Sequence, residues 1–179
     1  MQGTIALMLV SLNSGKTGKA MSISIREARP ADAEVIYNMI YELAVYEKAP
    51  QEVVTSPQEI RETLFGAQSK TEALICEADG VTIGYAVFFT SYSTWLGRNG
   101  IYLEDLYVSP DARGQGAGKA LIKHIARLAV QRKCGRLEWS VLDWNQPAID
   151  FYLGIGALPQ SEWVRYRLDG EALLNFAER

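Results

Sequence analysis

The sequence holds one histidine, His124, and two cysteines, Cys76 and Cys134, which lie far apart without metal-ligand spacing. That poverty excludes a transition-metal cage and leaves no disulfide framework to read. Basic residues are not in excess either. Eighteen Lys and Arg against 21 Asp and Glu give a formal charge of −3, which argues against a general nucleic-acid or anionic-membrane partner. Ile5 to Leu12 is an apolar run too short to span a bilayer, and no basic residue precedes it. These absences together imply a cytoplasmic, reduced and metal-free protein.

What is present is an ordinary globular composition, 179 residues with 48% hydrophobic and 22% charged, enough for one domain with a real core. Residues 1–20 differ in character from the rest of the chain and read as an N-terminal extension, with residues 21–179 as the single folded unit. Ser14-Gly15-Lys16-Thr17 looks like half of a nucleotide-binding P-loop. Val10 stands where the cradle needs its first glycine, however, so the match is read as coincidence.

From Met21 onward strand and helix signals alternate, which gives an α/β (α+β) chain. Ile23 and Ile25 alternate with polar residues as a strand does, and Pro30 opens a helix with Val35, Ile36, Met39, Ile40 and Leu43 on one face. Ser56-Pro57-Gln58-Glu59 is a capping box with proline at the first helical position. Ala73 to Ala78 and Thr82 to Tyr92 flank the pair Asp79-Gly80 and predict a hairpin with a type I′ turn. A third strand, roughly Gly100 to Val108, is followed by a helix carrying Leu121, Ile125, Leu128 and Ala129 that runs to Lys133, with Gly135 suited to end it. Leu137, Trp139 and Val141 alternate as another strand, and Asn145 with Pro147 starts a short helix. Trp163 to Leu168 reads as a last strand, and Asp169 as the cap of a C-terminal helix containing Leu173, Leu174 and Phe176.

The chemistry concentrates at Leu103 to Gly118. An apolar strand runs into a proline turn, then into Arg113-Gly114-Gln115-Gly116-Ala117-Gly118, then into a helix. Glycines let a ligand approach the backbone closely, and the first N–H groups of a helix have no internal partner and face the positive end of its dipole. A phosphate or pyrophosphate is the natural occupant. The dinucleotide fingerprint fails because Lys119 stands at its third glycine, and the antiparallel strands before the loop also oppose it.

Arg113 to Gly118 resembles the R-x-x-G-x-G acyl-CoA pyrophosphate loop of the GNAT-superfamily N-acetyltransferases, and the likeness covers nearly all of residues 21–179. Tyr102 to Val108, Trp144-Asn145-Gln146-Pro147 and Asp150-Phe151-Tyr152 are similar to the diamine acetyltransferases, both the spermidine/spermine type and the thialysine type. The resemblance implies a GNAT fold: a mixed, mostly antiparallel sheet with a splayed central strand pair and helices on both faces. It implies acetyl-CoA as co-substrate, no metal, a small-molecule amine acceptor and a homodimer in which residues 163–176 form a subunit contact.

The same resemblance assigns residues. Leu106, Tyr107 and Val108 border the pantetheine arm. The amides of Gly114, Gln115, Gly116, Ala117 and Gly118 receive the pyrophosphate, with charge added by Arg113 and Lys119. Tyr152 donates a proton to the leaving thiolate, for which a phenol with a reference pKa slightly above a thiol's is a suitable acid. Glu104 accepts the substrate proton through water, because a carboxylate is a poor direct base for an ammonium. Asn145 binds pantetheine, caps its helix, or does both. Tyr46, Glu47, Trp95, Glu104 and Asp105 line the amine site, with Asp105 on the opposite face from Glu104 if the strand is regular. Ser93 replaces an aspartate of the polyamine enzymes, and Ser93-Thr94-Trp95 with Leu142 to Gln146 looks closer to the thialysine branch. Rival readings are a silent acyl-CoA-binding module, a related enzyme acting on another amine or a protein N-terminus or lysine, and a ping-pong enzyme using Cys134. Cys134 lies at a predicted helix end with no histidine nearby in sequence, which disfavours the last.

Overall fold

The computed structural model describes residues 22–178; the extension, the P-loop-like run and Met21 lie outside the described residues. Five strands form one sheet in the order β1 (Ile23–Glu27), β2 (Thr71–Ala78), β3 (Val81–Ser93), β4 (Arg98–Val108), β5 (Leu137–Glu138). The first four are antiparallel neighbours and β5 runs parallel to β4. The type I′ expectation at the β2–β3 turn is met, with positive φ at both Asp79 (49°) and Gly80 (83°).

Helices cover both faces. Helix α1 (Ala33–Tyr46) follows a single 3-10 turn at Pro30–Asp32, and α2 (Pro57–Phe65) starts at Ser56, whose hydroxyl accepts from the Glu59 amide at 3.2 Å. Ile36, Met39 and Leu43 of α1 and Ile60 of α2 pack on one face of the sheet with Ile75, Tyr85 and Tyr107. The opposite face carries α3 (Ala117–Gln131) and α4 (Gln146–Gly154), which bury Leu121, Ile125, Ala148 and Tyr152 against Leu103, Leu106 and Val108.

The two leucines expose the feature that shapes the site. Leu103 and Leu106 are three apart yet face the same core, which regular alternation forbids. The β3–β4 register explains it: Asp105 pairs with Val87 while Leu103 pairs with the next residue, Phe88, so Glu104 is the extra residue of a β-bulge. Glu104 and Asp105 are therefore turned together away from the α3 face. The expectation that they point to opposite faces is corrected, because the strand is not regular there.

Three further boundaries differ from the sequence reading. Lys133, with φ 56°, rather than Gly135 takes the left-handed turn after α3. Leu137 to Val141 narrows to a two-residue strand. Trp163 to Leu168 is not a strand: it is an exposed segment leading to α5 (Gly170–Ala177), where Asp169 makes no side-chain cap.

Candidate active site

The ladder between β4 and β5 consists of Ile101↔Leu137 and Tyr102↔Glu138. Beyond Tyr102 the strands diverge, and the edge of β4 from Leu103 to Val108 is unpaired on that side among the described residues. This is the expected splay, and it brings Leu106, Tyr107 and Val108 to its border. The Val108 carbonyl accepts from Arg113 Nε at 2.8 Å.

At the far end of β4 the glycine loop adopts the geometry its composition suggests. Gly114 and Gly116 take φ of 75° and 89°, angles that side chains resist. The first intrahelical bond of α3 runs from the Ala120 amide to the Gly116 carbonyl, so the amides of Ala117, Gly118 and Lys119 are free of helical partners. Lys119 is exposed in the first turn and Gln115 turns its side chain back to the Asp111 carbonyl at 3.2 Å. Arg113 is folded back onto β4, its guanidinium 5.5 Å from the Tyr46 ring and 5.4 Å from the Tyr107 ring.

Across the splay, Asn145 caps α4 by accepting from the Ala148 amide at 3.4 Å. The same Oδ1 also accepts from the Tyr46 hydroxyl at 3.5 Å, and the Tyr46 ring sits 5.8 Å from that of Trp144. Tyr152 lies about two turns further along α4 from that cap, against Trp139 with ring centroids 4.9 Å apart. Burial in this apolar setting pushes the phenol of Tyr152 far above its ordinary value, so it stays protonated across the physiological range.

The acceptor-side candidates meet between the end of α1 and the bulge. Burial and then the Asp105 charge raise Glu47 to about 8. Burial and then the Glu104 charge raise Asp105 to about 7, while the bond donated by the Tyr85 hydroxyl at 3.2 Å opposes the rise. Burial also raises Glu104, with Arg167 opposing. Trp95 is not brought to this cluster: it is 89% exposed. It lies beyond the Ser93↔Arg98 pair, six pairs or about 20 Å along the hairpin from Asp105. Ser93 is buried and accepts from the Leu96 amide, closing that hairpin.

Five buried side-chain atoms lack a hydrogen-bond partner among the described residues: Glu47 Oε1, Ser91 Oγ, Asp105 Oδ1, Asn145 Nδ2 and Tyr152 Oη. An orphaned buried polar group costs about 1–3 kcal/mol. Four of the five belong to residues that the sequence singled out for the site, so the cost falls where a ligand's polar atoms would offset it. Tyr85 is the residue that sequence reasoning missed; its relation to Asp105 depends on strand register.

A strand edge opened beside a helix-entry anion site defines a class of protein that can lay a phosphate-bearing ligand along its sheet. Comparison with known proteins gives that class its family. Residues 36–156 match the acetyltransferase (GNAT) family, and the chain belongs to it; it is an N-acetyltransferase acting on amines. It is 41% identical over 166 residues to the thialysine N-epsilon-acetyltransferase of Bos taurus, covering 87% of this chain and 97% of that one. It is 29% identical over 202 residues to an L-ornithine N5-acetyltransferase of Arabidopsis thaliana, covering 88% and 89%. The solved structure of an integron cassette protein from the V. cholerae mobile metagenome superimposes with a TM-score of 0.75 at 26% identity, covering 90% of this chain and all of that one.

Proposed function

We propose that this enzyme acetylates the terminal primary amine of a small amino acid or diamine with acetyl-CoA, by direct attack in a ternary complex. The observation that carries the reading is the set of unpartnered buried atoms on Glu47, Asp105, Asn145 and Tyr152, borne by the end of α1, the bulge of β4 and helix α4 with its cap. Acetyl-CoA fits the donor side. The amides of Gly114 to Lys119 would hold its pyrophosphate with charge from Lys119, Arg113 lending its charge from its place against β4, the β4 edge at Leu106 and Val108 would border pantetheine, and Asn145 Nδ2 would donate to it. Bound there, the co-substrate supplies an activated thioester.

The chain's own residues then move protons. Glu104 accepts the ammonium proton by water relay, its raised pKa making it a better acceptor than an ordinary carboxylate. Tyr152, held protonated, donates to the leaving thiolate. Tyr46, Glu47 and Asp105 receive the acceptor's cationic portion. Identity of 41% to a thialysine N-epsilon-acetyltransferase, against 30% to a spermidine/spermine N(1)-acetyltransferase-like protein of Homo sapiens, favours thialysine over long polyamines.

Two coarser features complete the reading. Trp163, Val164, Tyr166, Leu174 and Phe176 are each at least 63% exposed, an apolar surface suited to a second copy in a homodimer, with Trp95 also available to it. Among the described residues no helix is long and apolar enough to cross a membrane, and Cys76 and Cys134 are free thiols, as a reducing compartment such as the cytoplasm keeps them.

Release of CoA from acetyl-CoA, followed across a panel of thialysine, ornithine, diamines and polyamines, tests the reading. Turnover on the amino acids supports it. Binding of acetyl-CoA without turnover on any amine would make the protein a silent acyl-CoA-binding module.

A further inference from the structure

Tyr85 is fully buried on β3, at 0% exposure. Phenylalanine would fill the same space without bringing a hydroxyl out of water, so the hydroxyl needs a purpose. It pairs across the sheet with Tyr107, and Asp105 pairs with Val87 two residues along, which places Tyr85 and Asp105 diagonally on the same face. That diagonal is about 7–8 Å between backbones, within the span of a tyrosine. The Tyr85 hydroxyl donates to Asp105 Oδ2 at 3.2 Å.

The consequence lies in what the bond leaves over. With Oδ2 held, Asp105 Oδ1 is buried and unpartnered, as is Glu47 Oε1 at the end of α1. Asp105 and Glu47 repel each other electrostatically, and Glu104 adds a third carboxyl from the bulge. An ammonium, with three donors and one positive charge, satisfies free oxygens and relieves repulsion together. A neutral alkyl end does neither.

The geometry points to Tyr85 as a positioning residue that fixes Asp105 so that its free oxygen, with that of Glu47, selects acceptors carrying a second positive charge. This rests on the proposed acceptor site and adds a determinant of its specificity. Tyr85 acts through Asp105 and does not touch the reacting atoms.

Cadaverine and n-pentylamine have the same chain length and differ in the second ammonium, so the ratio of their kcat/KM values reads the selection directly. Wild type should prefer cadaverine. Tyr85→Phe should cut that preference about tenfold, the cost of a hydrogen bond to a charged group. The loss should lie in the KM for cadaverine, with saturated kcat and the KM for acetyl-CoA little changed. Asp105→Asn, which keeps the shape and removes the charge, should lose the preference as well. Equal losses on both amines, or an unchanged ratio in a folded Tyr85→Phe, would overturn the proposal. Calorimetric binding of cadaverine in the presence of CoA separates this from the transfer reading. If wild type releases no CoA with either amine, acetyl transfer fails, while weaker cadaverine binding by Tyr85→Phe still supports the role of Tyr85 and unchanged binding overturns it.

Discussion

The Tyr46 hydroxyl donates to Asn145 Oδ1 at 3.5 Å, tying the end of α1 to the cap of α4 across 99 positions of sequence. One side-chain oxygen thus serves the helix cap and the acceptor wall, while Nδ2 of the same side chain is unpartnered. Asn145→Asp keeps an oxygen for both bonds and removes the Nδ2 donor. Because Asn145 is 1% exposed, the new carboxyl should leave the melting temperature near wild type only at acid pH and lower it as pH rises, while the KM for acetyl-CoA rises about tenfold. Asn145→Ala should lose the cap too, about 1 kcal/mol or about 3 °C for a chain of this size. Thermal melts and steady-state kinetics on the two variants separate the roles.

Tyr152→Phe removes a buried hydroxyl that has no protein partner. Stability should hold or rise slightly, since no hydrogen bond is lost. The kcat should fall about a hundredfold or more, the usual scale for losing a general acid, with acetyl-CoA binding unchanged. Near-full turnover in this variant would remove Tyr152 from the proton transfer.

The parts of the site set by local rules were legible in the sequence. The glycine loop opening α3, the Ser56 N-cap, the Asp79-Gly80 turn and the Asn145 cap each depend on neighbouring residues and occur where the pattern places them; of the Ser56 capping box only the N-cap half forms, the Glu59 carboxylate accepting from the Ser56 hydroxyl instead. What depends on strand register was not legible. Nothing in Leu103-Glu104-Asp105-Leu106 announces the bulge, which exists only relative to Val87 and Phe88 on another strand. Tyr85 was hidden for the same reason. Trp163 to Leu168 misled in the opposite direction, because its alternation resembles a strand and no strand pairs with it among the described residues.

The carboxyl cluster predicts a pH dependence with a definite sign. Folding raises Glu47 from 4.5 to about 8 and Asp105 from 3.8 to about 7. Groups raised in this way contribute stability that is full below their unfolded values and is lost as pH rises through the folded ones. The ligand-free enzyme should therefore lose stability between about pH 4 and pH 8, by about 3 °C or more in melting temperature. Asp105→Asn should flatten the slope. A cationic acceptor favours the ionised carboxyls, so its KM should fall over the same interval.

Gly116 caps α3 with φ 89°. Gly116→Ala meets no neighbouring atom within 4 Å, so its cost is conformational, about 1–2 kcal/mol for an L-residue in left-handed backbone. If the loop relieves that strain by shifting, the amides of Ala117 to Lys119 lose their aim. The variant should then show a KM for acetyl-CoA raised severalfold at unchanged acceptor KM, as read by initial rates with each substrate varied.

The central claim is that the bulge carboxyls and the end of α1 receive a short amine with a second charge close by, rather than a long polyamine. The most direct measurement is kcat/KM for thialysine and for spermine, with acetyl-CoA saturating and CoA release followed. The account predicts a preference for thialysine of about tenfold or more, the scale of one charge-assisted contact. A clear preference for spermine would contradict it.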